Sequence, residues 1–298
     1  MTAALLLEQL LNGLTLGGIY ALVALGYTLV YGVLRMINFA HSELFMGGAV
    51  AGWAVLTLFP GHGIGAAVLA FAVAMALVGL FAVVLDRVAY APLRRAPRLM
   101  PLISAIGASL VLQNAVFLWR DNQLPFPALV STQPRAWGPV SVSGLQLFII
   151  GTSVALMAVL TLFIQKTRLG KALRAVSQDA PTAELMGIPV DRLIALTFFI
   201  GGALGAAAGV LNGLYYGSVK YNMGFVPGVK AFTAAVLGGI GNVPGAMLGG
   251  FLLGFLEALG VAFLPEPAWK DVFAFGLLIL VLIFRPSGLL GEHVTEKV

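Results

Sequence analysis

The sequence predicts an all-α fold, a polytopic membrane bundle of about eight transmembrane helices with two broken or re-entrant helix elements, and three observations carry that prediction. The 298 residues are 60% hydrophobic and only 10% charged, a composition unlike that of a water-soluble globule. Mean hydropathy is +0.99, and dividing the roughly 180 hydrophobic residues by the roughly 20 that one bilayer span needs allows about eight or nine spans. Glycine is abundant at 37 residues, which suits close helix packing and interrupted helices. With no cysteine there is no disulfide, thiolate metal site or cysteine nucleophile, and His41, His62 and His293 are too scattered to form a metal-ligand cluster. The formal charge of +5 does not point to nucleic acid, because the basic residues sit between long apolar segments, as topogenic charge does.

Stretches free of Lys, Arg, Asp and Glu run from Gln9 to Leu34, Leu44 to Leu85, Leu99 to Trp119, Ala136 to Gln165, Leu193 to Val219, Ala231 to Leu256 and Val272 to Phe284. The second is too long for one helix, and Pro60-Gly61-His62-Gly63 divides it. Nothing before Gln9 reads as a cleavable signal peptide, so the first span is expected to direct insertion. Two loops carry the basic charge. Asp86 to Arg98 holds Arg87, Arg94, Arg95 and Arg98, and Lys166 to Arg192 holds Lys166, Arg168, Lys171, Arg174 and Arg192. Positive-inside bias makes both cytoplasmic. Alternation then places the N-terminus, the Pro60 to Gly63 turn, the Arg120 to Pro139 segment, Lys220 to Lys230 and Pro265 to Asp271 outside, with the tail after Arg285 inside.

Parity requires everything between Lys220 and Pro265 to begin and end outside. A helix-loop-helix excursion that turns at Gly238-Gly239-Ile240-Gly241-Asn242-Val243-Pro244-Gly245 satisfies this, since Pro removes a donor and Gly permits unusual dihedrals. The first half holds a similar interruption, from Arg35 through Asn38, His41 and Ser42 to Glu43. It is too short for a domain and too polar to face lipid.

Chemistry of the chain's own is absent from the sequence: there is no phosphate-binding loop and no catalytic motif, so no enzyme activity, metal or cofactor is expected. Glu43 reads either as a group lining a solute pathway, hydrogen-bonded to Asn38 or His41, or as a carboxylate stabilised by the amides of the helix beginning near Leu44. Glu257, in the apolar run from Ala246 to Leu264, reads mainly as structural or interfacial. Gly201, Gly202, Gly205 and Gly209, and Gly250 with Gly254, are placed for helix packing. In the Lys166 to Arg192 loop Asp179 can cap a short helix, Pro181 fits its first turn and Gly187 can end it. Such a helix, carrying Ala183 and Glu184 on the cytoplasmic side, can dock into a groove on a soluble partner or serve as an ordinary connector.

Ala183-Glu184-Leu185-Met186-Gly187-Ile188, followed by Pro189-Val190-Asp191-Arg192-Leu193, resembles the cytoplasmic coupling loop of the permease subunits of ABC importers for branched-chain amino acids. Asn38-Phe39-Ala40-His41-Ser42-Glu43-Leu44 resembles a second signature of that family, with Ser42 where glycine is usual. The run from Lys230 to Ala246 resembles a third. The resemblance implies a single permease domain over residues 1–298 in a bacterial-type inner membrane. It also implies two cytoplasmic ATP-binding subunits, a second identical or homologous permease and an extracytoplasmic solute-binding protein. Asn38, His41, Ser42, Glu43 and Asn242 are then the candidates for the substrate pathway, and Asp179, Ala183, Glu184 and Gly187 for ATPase coupling. Permeases for urea and short amides share much of the pattern, and a proton-coupled secondary transporter or a passive channel are the readings from other classes.

Overall fold

The computed structural model describes residues 3–291 apart from 62, 95, 98, 139, 264–268 and 286. His62, Arg95, Arg98, His293, most of the segment from Pro265 to Asp271 and the end of the tail therefore lie outside the described residues.

Helix α1 (Ala3–Leu34) is the axis of the bundle, and its stretch from Ile19 to Leu25 is almost wholly buried. It is followed by α2 (His41–Leu58), α3 (Ile64–Leu85) and α4 (Leu99–Trp119). After a connection that holds three short strands come α5 (Gly144–Lys166), α6 (Arg168–Gln178), α7 (Ala180–Leu185), α8 (Val190–Tyr216), α9 (Phe225–Gly238), α10 (Val243–Phe263) and α11 (Trp269–Phe284). Among the described residues six helices are long and apolar enough to cross a membrane, lying within 4–34, 64–93, 99–119, 144–166, 190–216 and 243–263. The shorter α9 and α11, and α2 with its polar first turn, complete the polytopic helical bundle.

Lipid tails offer helices no hydrophobic drive toward one another, so they associate through close van der Waals packing. Glycines supply it here. A Cβ on Gly250 or Gly254 of α10 would strike the backbone of Ala21 or Gly17 in α1, and one on Gly209 of α8 would strike the Phe45 carbonyl in α2. Helices α3 and α4 lie at the periphery and expose Ile64, Leu80, Val111 and Leu118.

At one end of the bundle β1 (Leu124–Pro125) pairs antiparallel with β4 (Ser218–Val219), and β2 (Pro134–Trp137) with β3 (Val140–Ser143). Glu8 ties the start of α1 to this end by accepting from the Ser141 amide at 3.0 Å. The stretch expected to span from Ala136 thus starts as a hairpin. Its helix begins only at Gly144, where Ser143 and Gln146 form a reciprocal cap.

At the opposite end the Lys166 to Arg192 loop is more helical than its basic composition suggests. Thr167 caps α6 by accepting from the Gly170 amide, and Leu173, Val176, Ala183 and Leu193 close a small apolar cluster that joins α6 and α7 to the start of α8. Two further boundaries need correction. Asp86, expected to open a loop, continues α3 as a π-helical turn over Asp86–Tyr90 and then a 3-10 turn over Ala91–Leu93. Lys230, expected at the edge of an external loop, is buried within α9, where carboxylate partners from α10 and α11 meet it.

Candidate functional site: the interrupted helices and their cavity

The first interruption covers Arg35 to Ala40, between α1 and α2. Arg35 takes a left-handed conformation at φ 53, and its guanidinium donates to the Ser177 carbonyl at the end of α6 over 3.1 Å. Asn38 is buried, and its Oδ1 accepts from the Tyr90 hydroxyl at 2.6 Å. His41, Ser42 and Glu43 form the first turn of α2 instead of a loop. The His41 ring packs edge-on to Tyr27 with centroids 4.8 Å apart, in a slot that only glycine at position 26 leaves open.

Glu43 does not bond to Asn38 or His41 as expected. Its Oε1 accepts from Ser109 of α4 at 3.1 Å and lies 3.3 Å from the adjacent Ser42 hydroxyl. The Ser42 hydroxyl also lies 2.8 Å from the Phe39 carbonyl, which satisfies backbone left open by the interruption. The beginning of α9 seats directly on this turn: a Cβ at Gly224 would meet the Ser42 carbonyl, and one at Gly228 the Ser42 side chain.

Between α1, the interruption, α4 and the start of α9 lies a cavity of about 610 Å³. Tyr27, Ser42, Ser109, Gln113 and Asn222 contribute its polar lining, and Phe39, Ile106, Leu110, Phe225, Val226 and Val229 the apolar lining. Such a space can hold a small zwitterion with an aliphatic side chain without gripping it by a full charge. Ser42 lines the cavity, Glu43 stands directly behind it, and Asn38 and His41 are buried in the protein alongside. Asn242 is elsewhere. It caps α10 by accepting from the Gly245 amide at 2.9 Å and donates to the Leu290 carbonyl at 2.9 Å, fastening the chain's tail over the α9–α10 turn.

Ser109, Gln113 and Asn222 were not singled out from the sequence. The signal for the first two was their spacing of four within an otherwise apolar span, which puts both on one face of α4. A second polar centre was also missed: Lys230 Nζ lies 3.0 Å from Glu257 Oε1 and 2.6 Å from Asp271 Oδ1, and the Tyr20 hydroxyl donates to Glu257 Oε2 at 2.8 Å. Among the described residues no group of His, Asp or Glu is arranged to hold a metal ion.

At the other end of the bundle α7 has the local chemistry expected of it. Asp179 accepts from the Thr182 amide at 3.2 Å, and the bonds from the Thr182 hydroxyl and amide hold its carboxyl below the usual carboxylate range. Gly187, at φ 81, turns the chain out of the helix. Ala183 is buried in the α6–α7–α8 cluster and Glu184 is exposed, while Leu185 and Met186 stand 88% and 78% exposed.

Residues 9–282 match the family described as the branched-chain amino acid transport system permease component. The chain belongs to that family. It is 48% identical over 301 residues to the high-affinity branched-chain amino acid transport system permease protein BraD of Pseudomonas aeruginosa, covering 98% of both chains. Against the permease protein LivH of Escherichia coli K12 the identity is 45% over 304 residues, covering 98% of this chain and 97% of the relative. Among solved structures, PsaBC from Streptococcus pneumoniae in complex with Fab aligns over 93% of this chain and 91% of that chain with a TM-score of 0.50 and 14% identity, a likeness of fold.

Proposed function

We propose that the chain is the transmembrane permease subunit of an ATP-driven importer that moves leucine, isoleucine and valine into the cytoplasm. The observation that carries this reading is the cavity beside Ser42, which combines uncharged polar groups with an apolar wall at an interruption in the membrane helices. Relatives aligned end to end bear the name of branched-chain amino acid permeases, which supplies the substrate class. Solute passes along the cavity face past Ser42, with Asn38, His41 and Glu43 shaping the interruption and Asn242 holding the second turn.

The chain works with two cytoplasmic ATP-binding subunits, a second permease and an external solute-binding protein. Arg94 and Asp191, one from each basic loop, are 2.6 Å apart, so both basic loops occupy one end of the bundle, in keeping with a cytoplasmic face there. That orientation leaves the N-terminus and the strands outside and the C-terminus in the cytoplasm. Helix α7, with Leu185 and Met186 uncovered and Glu184 beside them, offers an apolar knob to a groove on the ATP-binding subunit.

Proteoliposomes holding the permease pair, the ATP-binding subunits and the binding protein test the proposal. Radiolabelled leucine is expected to accumulate only with ATP on the ATPase side, and an imposed pH gradient is not expected to substitute. Uptake by this chain alone, driven by protons and indifferent to ATP, would overturn the reading.

A further inference from the structure

The π-helical turn Asp86–Tyr90 has no assigned part in the reading above, yet it carries two buried polar side chains that look in different directions. Asp86, 1% exposed, accepts from Nη2 of Arg94 with both carboxylate oxygens, at 2.9 and 2.7 Å. The same guanidinium donates through Nη1 to Asp191 at 2.6 Å, in the first turn of α8. Tyr90, fully buried and stacked on Phe198 of α8, donates to Asn38 at the heart of the first interruption. Two sets of hydrogen bonds, joined by the backbone of the turn, thus lead from the exposed start of α8 to Asn38, buried beside the cavity.

Its outer end is mechanically joined to α7, because Ala183 of α7 and Leu193 of α8 share one apolar cluster with Leu173 and Val176. The other flank of the interruption is held from the same layer, since Arg35 bonds to Ser177 at the end of α6. A displacement of the α6–α7 layer therefore reaches both flanks of Asn38. A π-turn interrupts the regular α-helical ladder, and such single turns recur at functional sites.

We infer that Arg94 and Tyr90 are positioning residues for transport: together with Asp86 and Asp191 they relay movement of the α7 layer to Asn38 and so set whether the cavity beside Ser42 is open. This rests on the proposal that α7 receives the ATP-binding subunits. Removing Arg94 would strand a buried carboxylate and confound folding with coupling. Two gentler variants keep the buried Arg94–Asp86 pair intact. Asp191→Asn alters an exposed group and leaves the Arg94–Asp86 pair, and Tyr90→Phe deletes one hydroxyl while keeping the ring on Phe198.

The test uses the complete importer in proteoliposomes, measuring leucine uptake per ATP hydrolysed alongside ATPase pull-down and the thermal midpoint of the complex. Each variant is expected to lower uptake per ATP by about fivefold or more, the lower end of typical coupling energies, with pull-down unchanged, and with the midpoint unchanged in Asp191→Asn and lowered in Tyr90→Phe, which leaves the buried Asn38 Oδ1 without its donor. Asp191→Glu, which keeps a carboxylate for Arg94, is expected to restore coupling. The double variant Asp191→Asn/Tyr90→Phe should be no worse than the worse single one, because both act on one route. Wild-type coupling in both single variants, or losses that multiply in the double, would overturn the relay while leaving the importer standing. An unsubstituted complex without ATP-driven uptake would instead overturn the importer itself.

Discussion

Glycine at 209 and 250 performs in this bundle the task that large apolar side chains perform in a water-soluble core. Where lipid competes for every apolar contact, a helix gains from a neighbour only by approaching more closely than lipid can, and a missing Cβ permits that approach. Gly209→Val is expected to lower the thermal midpoint of the detergent-purified chain, with overpacking costing about 1–3 kcal/mol, because the new side chain meets the Phe45 carbonyl. Gly151→Ala on α5, where nothing lies within 4 Å, is the control and should leave the midpoint unchanged or slightly raised. Asp179 illustrates a different residue-level effect. Bonds from Thr182 depress its carboxyl pKa, so the cap is fully present above the ordinary carboxylate range and is lost only as pH falls through the lower folded value. The Thr182 amide shift is expected to titrate with a midpoint below the roughly 3.9 of a free aspartate, and Asp179→Ala to abolish that titration. A midpoint at or above the free value would contradict the cap.

Helix α7 is too short to be stable by itself, and its rigidity comes from its two ends and its one buried face. Asp179 closes the first turn, Ala183 anchors the middle in the cluster with Leu173, Val176 and Leu193, and Gly187 reverses the chain at φ 81. A β-branched residue resists that dihedral, so Gly187→Val should tilt the element without disturbing the membrane helices. The expected outcome is normal permease abundance with weakened ATPase association and hydrolysis uncoupled from uptake. Glu184→Lys should do the same to a smaller degree. Pull-down and uptake on membranes matched for permease content decide it, and wild-type association with wild-type uptake in Gly187→Val would remove α7 as the docking element.

Across the whole molecule, Lys230, Glu257 and Asp271 join three elements that are separate in the chain, and Tyr20 connects them to the central helix. A buried ion pair is weak evidence of added stability, but breaking one from a single side leaves an uncompensated charge, at about 3–5 kcal/mol. Lys230→Met is therefore expected to reduce abundance and thermal midpoint sharply, because it takes one ammonium away from Glu257 and Asp271 together. Lys230→Met/Glu257→Gln should recover a substantial part of the loss, since the amide still accepts from Tyr20 and the carboxylate that keeps its charge, Asp271, is 41% exposed. Equal losses in the single and double variants would show that the lysine matters for something other than neutralising Glu257.

Much of the bundle was legible because hydropathy and helix signals are local. The apolar runs marked the long helices, the Pro60 to Gly63 and Gly238 to Gly245 clusters marked chain reversals, and Asp179, Pro181 and Gly187 outlined α7 within a few consecutive residues. Asn38 to Glu43 was recognisable as an interruption because so many polar groups cannot face lipid. Where those groups find partners was not local information. Asn38 meets Tyr90 across 52 positions and Tyr20 meets Glu257 across 237. Lys230 counted as loop charge for the same reason: a linear reading scores an ammonium group by its hydration, and only the packing of α9 against α10 and α11 supplies the carboxylates that replace the lost water. Composition and periodicity by themselves determined that the chain forms interrupted membrane helices, since the cost of unpaired backbone in lipid admits little else. The tertiary structure alone decided which polar residues face one another and which face the cavity, because that depends on helix rotation and distance, set by contacts between residues far apart in the chain.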